Sequence, residues 1–117
     1  MHELGIAQNI VEIAQQAVPK DQTSAVRSIR IRIGPLSGIV PDSLDFCFEA
    51  IVRDTPFQQA KLTIEQLPVT LSCRKCAYRF QTKDLEFLCR SCGSHDLELV
   101  SGKELEIVDI ELAEEGD

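Results

Sequence analysis

Two pairs of cysteines constrain this chain more than any other feature. Cys73-Arg-Lys-Cys76 and Cys89-Arg-Ser-Cys92 each hold two residues between their cysteines, and twelve residues separate the pairs. Two such knuckles can close four thiolates into a tetrahedron around one ion, with Zn2+ favoured at about 2.3 Å per sulfur. Such a site organises roughly thirty residues around itself. Two other readings share the spacing. A rubredoxin-like iron in a four-sulfur site would carry electrons, and spacing alone does not separate it from zinc. A redox dithiol would sit at a helix N-terminus after a strand, which the Arg, Lys and Ser flanks do not resemble. Four sulfurs on one ion leave no open position for water or substrate, so Lewis-acid catalysis is not expected there.

The chain has 117 residues, 44% of them apolar, which suits one domain or one domain carrying a small inserted module. Its five cysteines are an odd number, so a disulfide framework would leave one over. The N-terminus carries Glu3 and Glu12 and lacks a basic segment followed by a long apolar run. No stretch approaches the roughly eighteen apolar residues a membrane span requires. These features lead us to expect a soluble, cytoplasmic protein whose cysteines serve a metal. Net charge is −7, so the chain lacks the basic face that nucleic-acid binding needs. Arg74, Lys75, Arg79, Lys83 and Arg90 make the cysteine region locally basic, and we read them as offsetting the thiolates and nearby acids.

Periodicity supplies the rest of the architecture. Leu4, Ala7, Val11, Ala14 and Val18 recur at helical steps, widened by Ile6, Ile10, Ile13 and Ala17, so a helix is expected from residue 3 to about 18, ending at Pro19. Lys20 to Ser24 read as a polar connection. Ile29, Ile31 and Ile33 alternate with Arg30 and Arg32, the pattern of a strand with one buried and one wet, basic face. A second helix should begin near Pro41-Asp42-Ser43, with Asp42 or Ser43 accepting a hydrogen bond from a free amide. Its apolar stripe is Leu44, Cys47, Phe48, Ile51 and Val52, and Asp54-Thr55-Pro56 ends it. A strand follows near Lys61 to Leu67, short strands are plausible near Tyr78–Phe80 and Leu97–Val100, and Leu105 to Leu112 form the last strand. The apolar phase there shifts from Leu105 and Ile107 to Val108, Ile110 and Leu112, which predicts a bulge. Glu114 to Asp117 read as a solvated tail.

The expected fold is therefore α+β. It comprises a small mixed sheet of about three strands with two helices, plus an inserted zinc-ribbon-like module with two Cys-x-x-Cys knuckles. Residues 1–68 with 101–117 would form the α/β domain, and residues 69–100 the zinc-binding one.

Outside the quartet, candidate chemistry is sparse. Cys47 sits on the apolar stripe beside Phe46 and Phe48 and reads as a small core residue. His2 follows the first residue, so an imidazole and neighbouring backbone nitrogens could surround one ion. Nitrogen donors in a plane suit Ni2+ or Cu2+. The plainer reading of His2 is an exposed terminal side chain. His95, just past Cys92, reads as a turn histidine with a second reading as an imidazole near the cage. No motif places a carboxylate pair for acid–base work. Gly34-Pro35-Leu36-Ser37-Gly38 lacks the Lys and helix-opening context of a phosphate loop. The chain does not read as an enzyme.

Several motifs, in order along nearly the whole chain, resemble those of the HypA/HybF family of nickel-insertion proteins for NiFe hydrogenase maturation. They are Met1-His2-Glu3-Leu4, Ile33-Gly34-Pro35-Leu36-Ser37, Phe46-Cys47-Phe48-Glu49 and the two knuckles. The resemblance implies a nickel metallochaperone, with residues 1–68 and 101–117 as its nickel-binding domain. His2 matches the family's nickel-binding histidine and Glu3 the adjacent acid. Cys73, Cys76, Cys89 and Cys92 match its structural zinc ligands. It further implies Ni2+ as transient cargo, a HypB-type GTPase as partner, and a hydrogenase large-subunit precursor as client, with urease maturation served in some members. Some members place histidines beside the knuckles, whereas here only His95 lies near. The rival readings are a zinc-ribbon adaptor that binds protein or nucleic acid without nickel, and a rubredoxin-like electron carrier.

Overall fold

Alternation and helical periodicity resolve into two helices and six strands in a computed structural model, which describes residues 3–82 and 86–114. His2, Lys83 and Glu115 to Asp117 lie outside the described residues. The helices are α1 (Glu3–Ala17) and α2 (Pro41–Val52), with a 3-10 helix at Lys20–Ala25 in place of a plain polar connection. The strands are β1 (Val26–Ile33), β2 (Lys61–Gln66), β3 (Val69–Cys73), β4 (Arg79–Thr82), β5 (Leu97–Ser101) and β6 (Leu105–Leu112). Among the described residues they form two three-stranded sheets, ordered β2-β1-β6 and β4-β3-β5.

The first sheet is mixed. β1 runs parallel to β2, with Ile31 opposite Ile64, and antiparallel to β6, with Ile29 opposite Ile110 and Ile31 opposite Ile107. The register slips between Arg30 and Ile31, so Val108 is the extra residue on β6. This is the bulge that the change of apolar phase predicts. On the inner face Ile29, Ile31 and Ile33 are buried against both helices with Ile6, Ile10, Leu44 and Phe48. On the outer face Arg30 pairs with Asp109, and Arg32 reaches Glu65 at 2.9 Å and Glu106 at 4.0 Å. Cys47 packs against the first core, as its place on the stripe suggests.

The start of α2 departs from the local reading. Pro41 occupies the first helical position, where its fixed φ fits and no amide is wasted. That makes Val40 the cap residue, and neither Asp42 nor Ser43 caps the helix. The Glu3 carboxylate meets this end of the helix from a distance. Its Oε2 accepts from the Val40 amide at 3.5 Å and its Oε1 from the Ser43 hydroxyl at 3.2 Å.

β3, β4 and β5 form the second sheet, whose core is Val69, Leu71 and Phe80. β3 has no counterpart in the sequence reading, although its burial alternates cleanly and its last residue is Cys73. The two sheets meet at a joint of backbone on backbone. Leu36 donates its amide to the Gly102 carbonyl at 2.7 Å and packs its side chain on the second core. Gly34 donates to the Glu104 carbonyl at 2.9 Å, and a Cβ there would lie 2.1 Å from Gly102 O, so only glycine fits. The chain is elongated, 56 × 28 × 20 Å, with a radius of gyration of 18.1 Å against about 13 Å for a single compact domain of this size.

Candidate metal centre

The two knuckles are built alike, residue for residue. In the first, the Cys73 amide donates to the Tyr78 carbonyl at 2.9 Å and the Ala77 amide to the Cys73 carbonyl at 2.9 Å. In the second, the Cys89 amide donates to the Ser94 carbonyl at 2.8 Å and the Gly93 amide to the Cys89 carbonyl at 2.9 Å. Each turn closes through a left-handed residue just after its second cysteine, Ala77 at φ 65° and Gly93 at φ 79°. Glycine takes that conformation freely and alanine at a cost. The knuckles hang from different supports. β3 delivers Cys73, while Arg74 ties its knuckle to the start of β5, donating its amide to the Asp96 carbonyl at 2.9 Å and its guanidinium to the Leu97 carbonyl at 3.2 Å.

This brings four sulfurs together. Cys73 and Cys92 lie 3.6 Å apart, Cys76 and Cys89 3.5 Å apart, and all four Sγ atoms fall within 4.8 Å of one another. None is disulfide-bonded. A tetrahedron with 2.3 Å bonds to sulfur has edges of about 3.8 Å, so the donors fit one four-coordinate ion. Cys73 and Cys89 are buried, whereas Cys76 and Cys92 reach the surface. Backbone amides already point at the buried pair: Cys76 N to Cys73 Sγ at 3.5 Å, and Ser91 N and Cys92 N to Cys89 Sγ at 3.4 Å each.

Those amides set the protonation pattern. The Cys76 amide, against partial desolvation, lowers the Cys73 thiol. Desolvation opposes the Cys89 thiolate, yet the amides of Cys92 and Ser91 prevail and bring it down to about 6. The Ser94 amide favours ionisation of Cys92, but desolvation and three neighbouring sulfurs push it up to about 12. The group thus supports some thiolates and resists the last, because like charges crowd one site. A bound divalent cation removes that resistance.

Two cations near the quartet, Arg74 and Arg90, engage other groups. Arg74 lies 3.3 Å from Asp96, and the Arg90 guanidinium lies 5.6 Å from the Phe80 ring centre. Phe80 in turn stacks on Tyr78 at 5.8 Å. His95 places Nδ1 3.1 Å from the Phe87 carbonyl. A carbonyl can only accept, so Nδ1 carries a proton toward it, and in the neutral ring Nε2 holds the lone pair. His95 is not among the four donors that cluster. Glu3 lies at the start of α1 with its carboxylate on α2, well apart in sequence from the knuckles. Partial desolvation opposes its ionisation, but hydrogen bonds from Val40, its own amide and Ser43 hold it below the usual carboxylate range. The sequence reading missed Ala77 and Gly93 as cage-forming residues, although a small residue directly after each second cysteine was visible.

The chain matches, over residues 1–112, the family described as hydrogenase/urease nickel incorporation, metallochaperone, HypA. It belongs to the HypA family. A hydrogenase maturation factor HypA from Desulfatibacillum aliphaticivorans is 44% identical over 115 residues, covering 97% of this chain and 88% of that protein. Another, from Desulfosudis oleivorans, is 43% identical and covers 97% of this chain and all of that protein. The fold is similar to the solution structure of the Ni metallochaperone HypA from Helicobacter pylori, with a TM-score of 0.63 over 98% of this chain and 100% of that one, at 22% identity. HypA members are nickel-incorporation metallochaperones rather than enzymes, and the α+β fold with its four-cysteine metal site is of that kind. Among the described residues, no helix is long and apolar enough to cross a membrane.

Proposed function

We propose that two metals divide the labour in this nickel metallochaperone: Zn2+ stays in the four-cysteine cage, and Ni2+ is carried in transit at His2. The observation that carries this reading is the closed sulfur quartet. Its four thiols, within 4.8 Å of one another, satisfy one tetrahedral ion completely. A saturated cage holds its metal and has no position from which to hand it over. The cargo therefore needs a second, open site of different donors. Imidazole and backbone nitrogens at His2 suit Ni2+, with selectivity set by geometry because affinity alone favours Cu2+. Glu3 is the adjacent acid of that site. Its carboxylate bridges α1 to the start of α2, which supports a role in fixing the start of α1, next in sequence to His2, and in keeping negative charge near the cation. In this reading residues 1–68 with 101–117 are the nickel-handling domain and 69–100 the zinc domain. His95, with its tautomer fixed by Phe87, is the imidazole closest to hand for a secondary ion near the cage. Delivery goes to a hydrogenase large-subunit precursor with a HypB-type GTPase, with urease as a further client, in the cytoplasm.

Isothermal titration of nickel into wild type and His2→Ala separates the sites. The variant is expected to lose nickel binding while keeping zinc content and melting temperature. Nickel affinity in the wild type should weaken below about pH 6.5, as the imidazole protonates. Unchanged nickel affinity in His2→Ala would sink the assignment.

A further inference from the structure

The inner face of the first sheet is covered unevenly. Ile29, Ile31 and Ile33 of β1 are 0–2% exposed. Their neighbours on β6 point to the same side, yet Leu105 is 39% and Leu112 36% exposed, with Ile107 and Ile110 half-buried. Across from them, Ile13 of α1 is 48% exposed. Between helix and strand runs a groove of two adjoining hollows, about 300 and 450 Å3, walled by Ile13 and Ala17 of α1 and Leu105, Ile107, Ile110 and Leu112 of β6. β6 pairs with β1 on one side, and among the described residues no strand occupies the other. Neither Lys nor Pro blunts that edge. Its outward row is Glu106, Asp109 and Glu111. With Glu65, these set four acids around Arg30 and Arg32 on the outer face.

We propose that the free edge of β6 receives an extended segment of a protein partner in which apolar residues alternate with Arg or Lys, added as a fourth strand of the first sheet. The chain itself holds the pattern for such a ligand. On its occupied side β6 binds Ile29-Arg30-Ile31-Arg32-Ile33, isoleucines inward and arginines over Asp109 and Glu106. A segment of the same kind on the open side would lay its apolar residues in the α1–β6 groove and its cations over the acidic row. Main-chain hydrogen bonds would supply affinity and the alternation specificity. A second copy's β6 is the wrong occupant, because it would set acidic row against acidic row. The bulge at Val108 also breaks the uniform register self-pairing needs.

The test uses the intact, metal-loaded protein and a labelled peptide copying Val26–Ile33, followed by fluorescence anisotropy. Saturable binding in the micromolar range is expected, weakening as salt rises. A peptide with its three arginines changed to glutamate should bind at least about tenfold more weakly. Ile13→Glu, on the helix wall, and Glu111→Lys, on the edge, should each weaken binding about fivefold or more, with helix content and bound metal unchanged. In the saturated complex, the backbone amides of β6 should exchange with deuterium more slowly, a readout that simple charge attraction would not move. Equal binding of the charge-reversed peptide, or unchanged β6 exchange at saturation, would overturn the proposal. So would self-association of the wild type that slows exchange of the β6 amides as protein concentration rises, because the edge would then belong to a second copy.

Discussion

The two sheets of this chain have three strands each and are held together by different means. Behind β2-β1-β6 lie, among the described residues, fifteen buried apolar residues from Ile6 to Ala60, contributed by two helices, β1 and the segments that connect the elements. Behind β4-β3-β5 lie three, Val69, Leu71 and Phe80. A core of three side chains cannot offset the conformational entropy of the roughly thirty residues it would have to order. The four sulfurs make up the difference, because a metal that binds only the folded arrangement lends its binding energy to folding. The cage thus substitutes for a hydrophobic core, whereas the helical half needs no such aid.

Removing the metal should break that contrast most severely. Chelation, or Cys73→Ala, withdraws a contribution on the order of 10 kcal/mol from the second sheet. Hydrogen exchange should show protection lost in β3, β4 and β5 and kept in β1. Loss in both sheets together would mean they share one cooperative unit. The reverse experiment is Phe48→Ala, in the larger core, expected to cost about 3–5 kcal/mol in denaturant unfolding of the helical half. Metal content, measured by elemental analysis, should stay at one ion per chain. A finer probe compares the two knuckles with each other. Ala77→Gly relieves a left-handed alanine and Gly93→Ala creates one, so thermal melts of the module should move in opposite directions, by about 0.5–1 kcal/mol each. A Cβ at Gly93 meets nothing within 4 Å, so crowding does not confuse the result. The smallest effect concerns Glu3. Its carboxyl is held below its ordinary 4.5, so the stability it lends is present above that pH and is lost as pH falls through the folded value. Glu3→Gln should flatten the acid limb of the stability curve below pH 4.5 in the helical half and leave the module's curve alone.

Features that repeat at short range were legible from residues alone. The isoleucine–arginine alternation places β1, the stripe from Leu44 to Val52 places α2, and the knuckle spacing places the cage. Even the bulge at Val108 could be read, because a bulge shifts the apolar phase within one strand. The missing parts depend on distant partners. Nothing local reveals that β1 is central, parallel to one neighbour and antiparallel to the other. The start of α2 is met by a carboxylate 37 residues upstream of the amide it accepts from, and a local rule for helix starts cannot see it. The helix α1 shows the same limit. Its periodicity admits Ile13 to the apolar stripe, but among the described residues no third helix covers β6, so Ile13 stays half in water. At the site, donor identity was plain in the sequence, while the paired left-handed turns at Ala77 and Gly93 needed backbone angles to be recognised.

The joint at Gly34 and Gly102 has a consequence for how such a protein could be assembled or rebuilt. A side chain on Gly102 would press on Val69, its Cβ 3.2 Å from Val69 Cγ2, so the metal module leaves the first sheet and returns to it at one point. A segment whose two ends touch can be lengthened, exchanged or cut out without moving the strands that carry it. The cysteine module is, in that sense, a cassette clipped into a frame, and the two glycines are the clip.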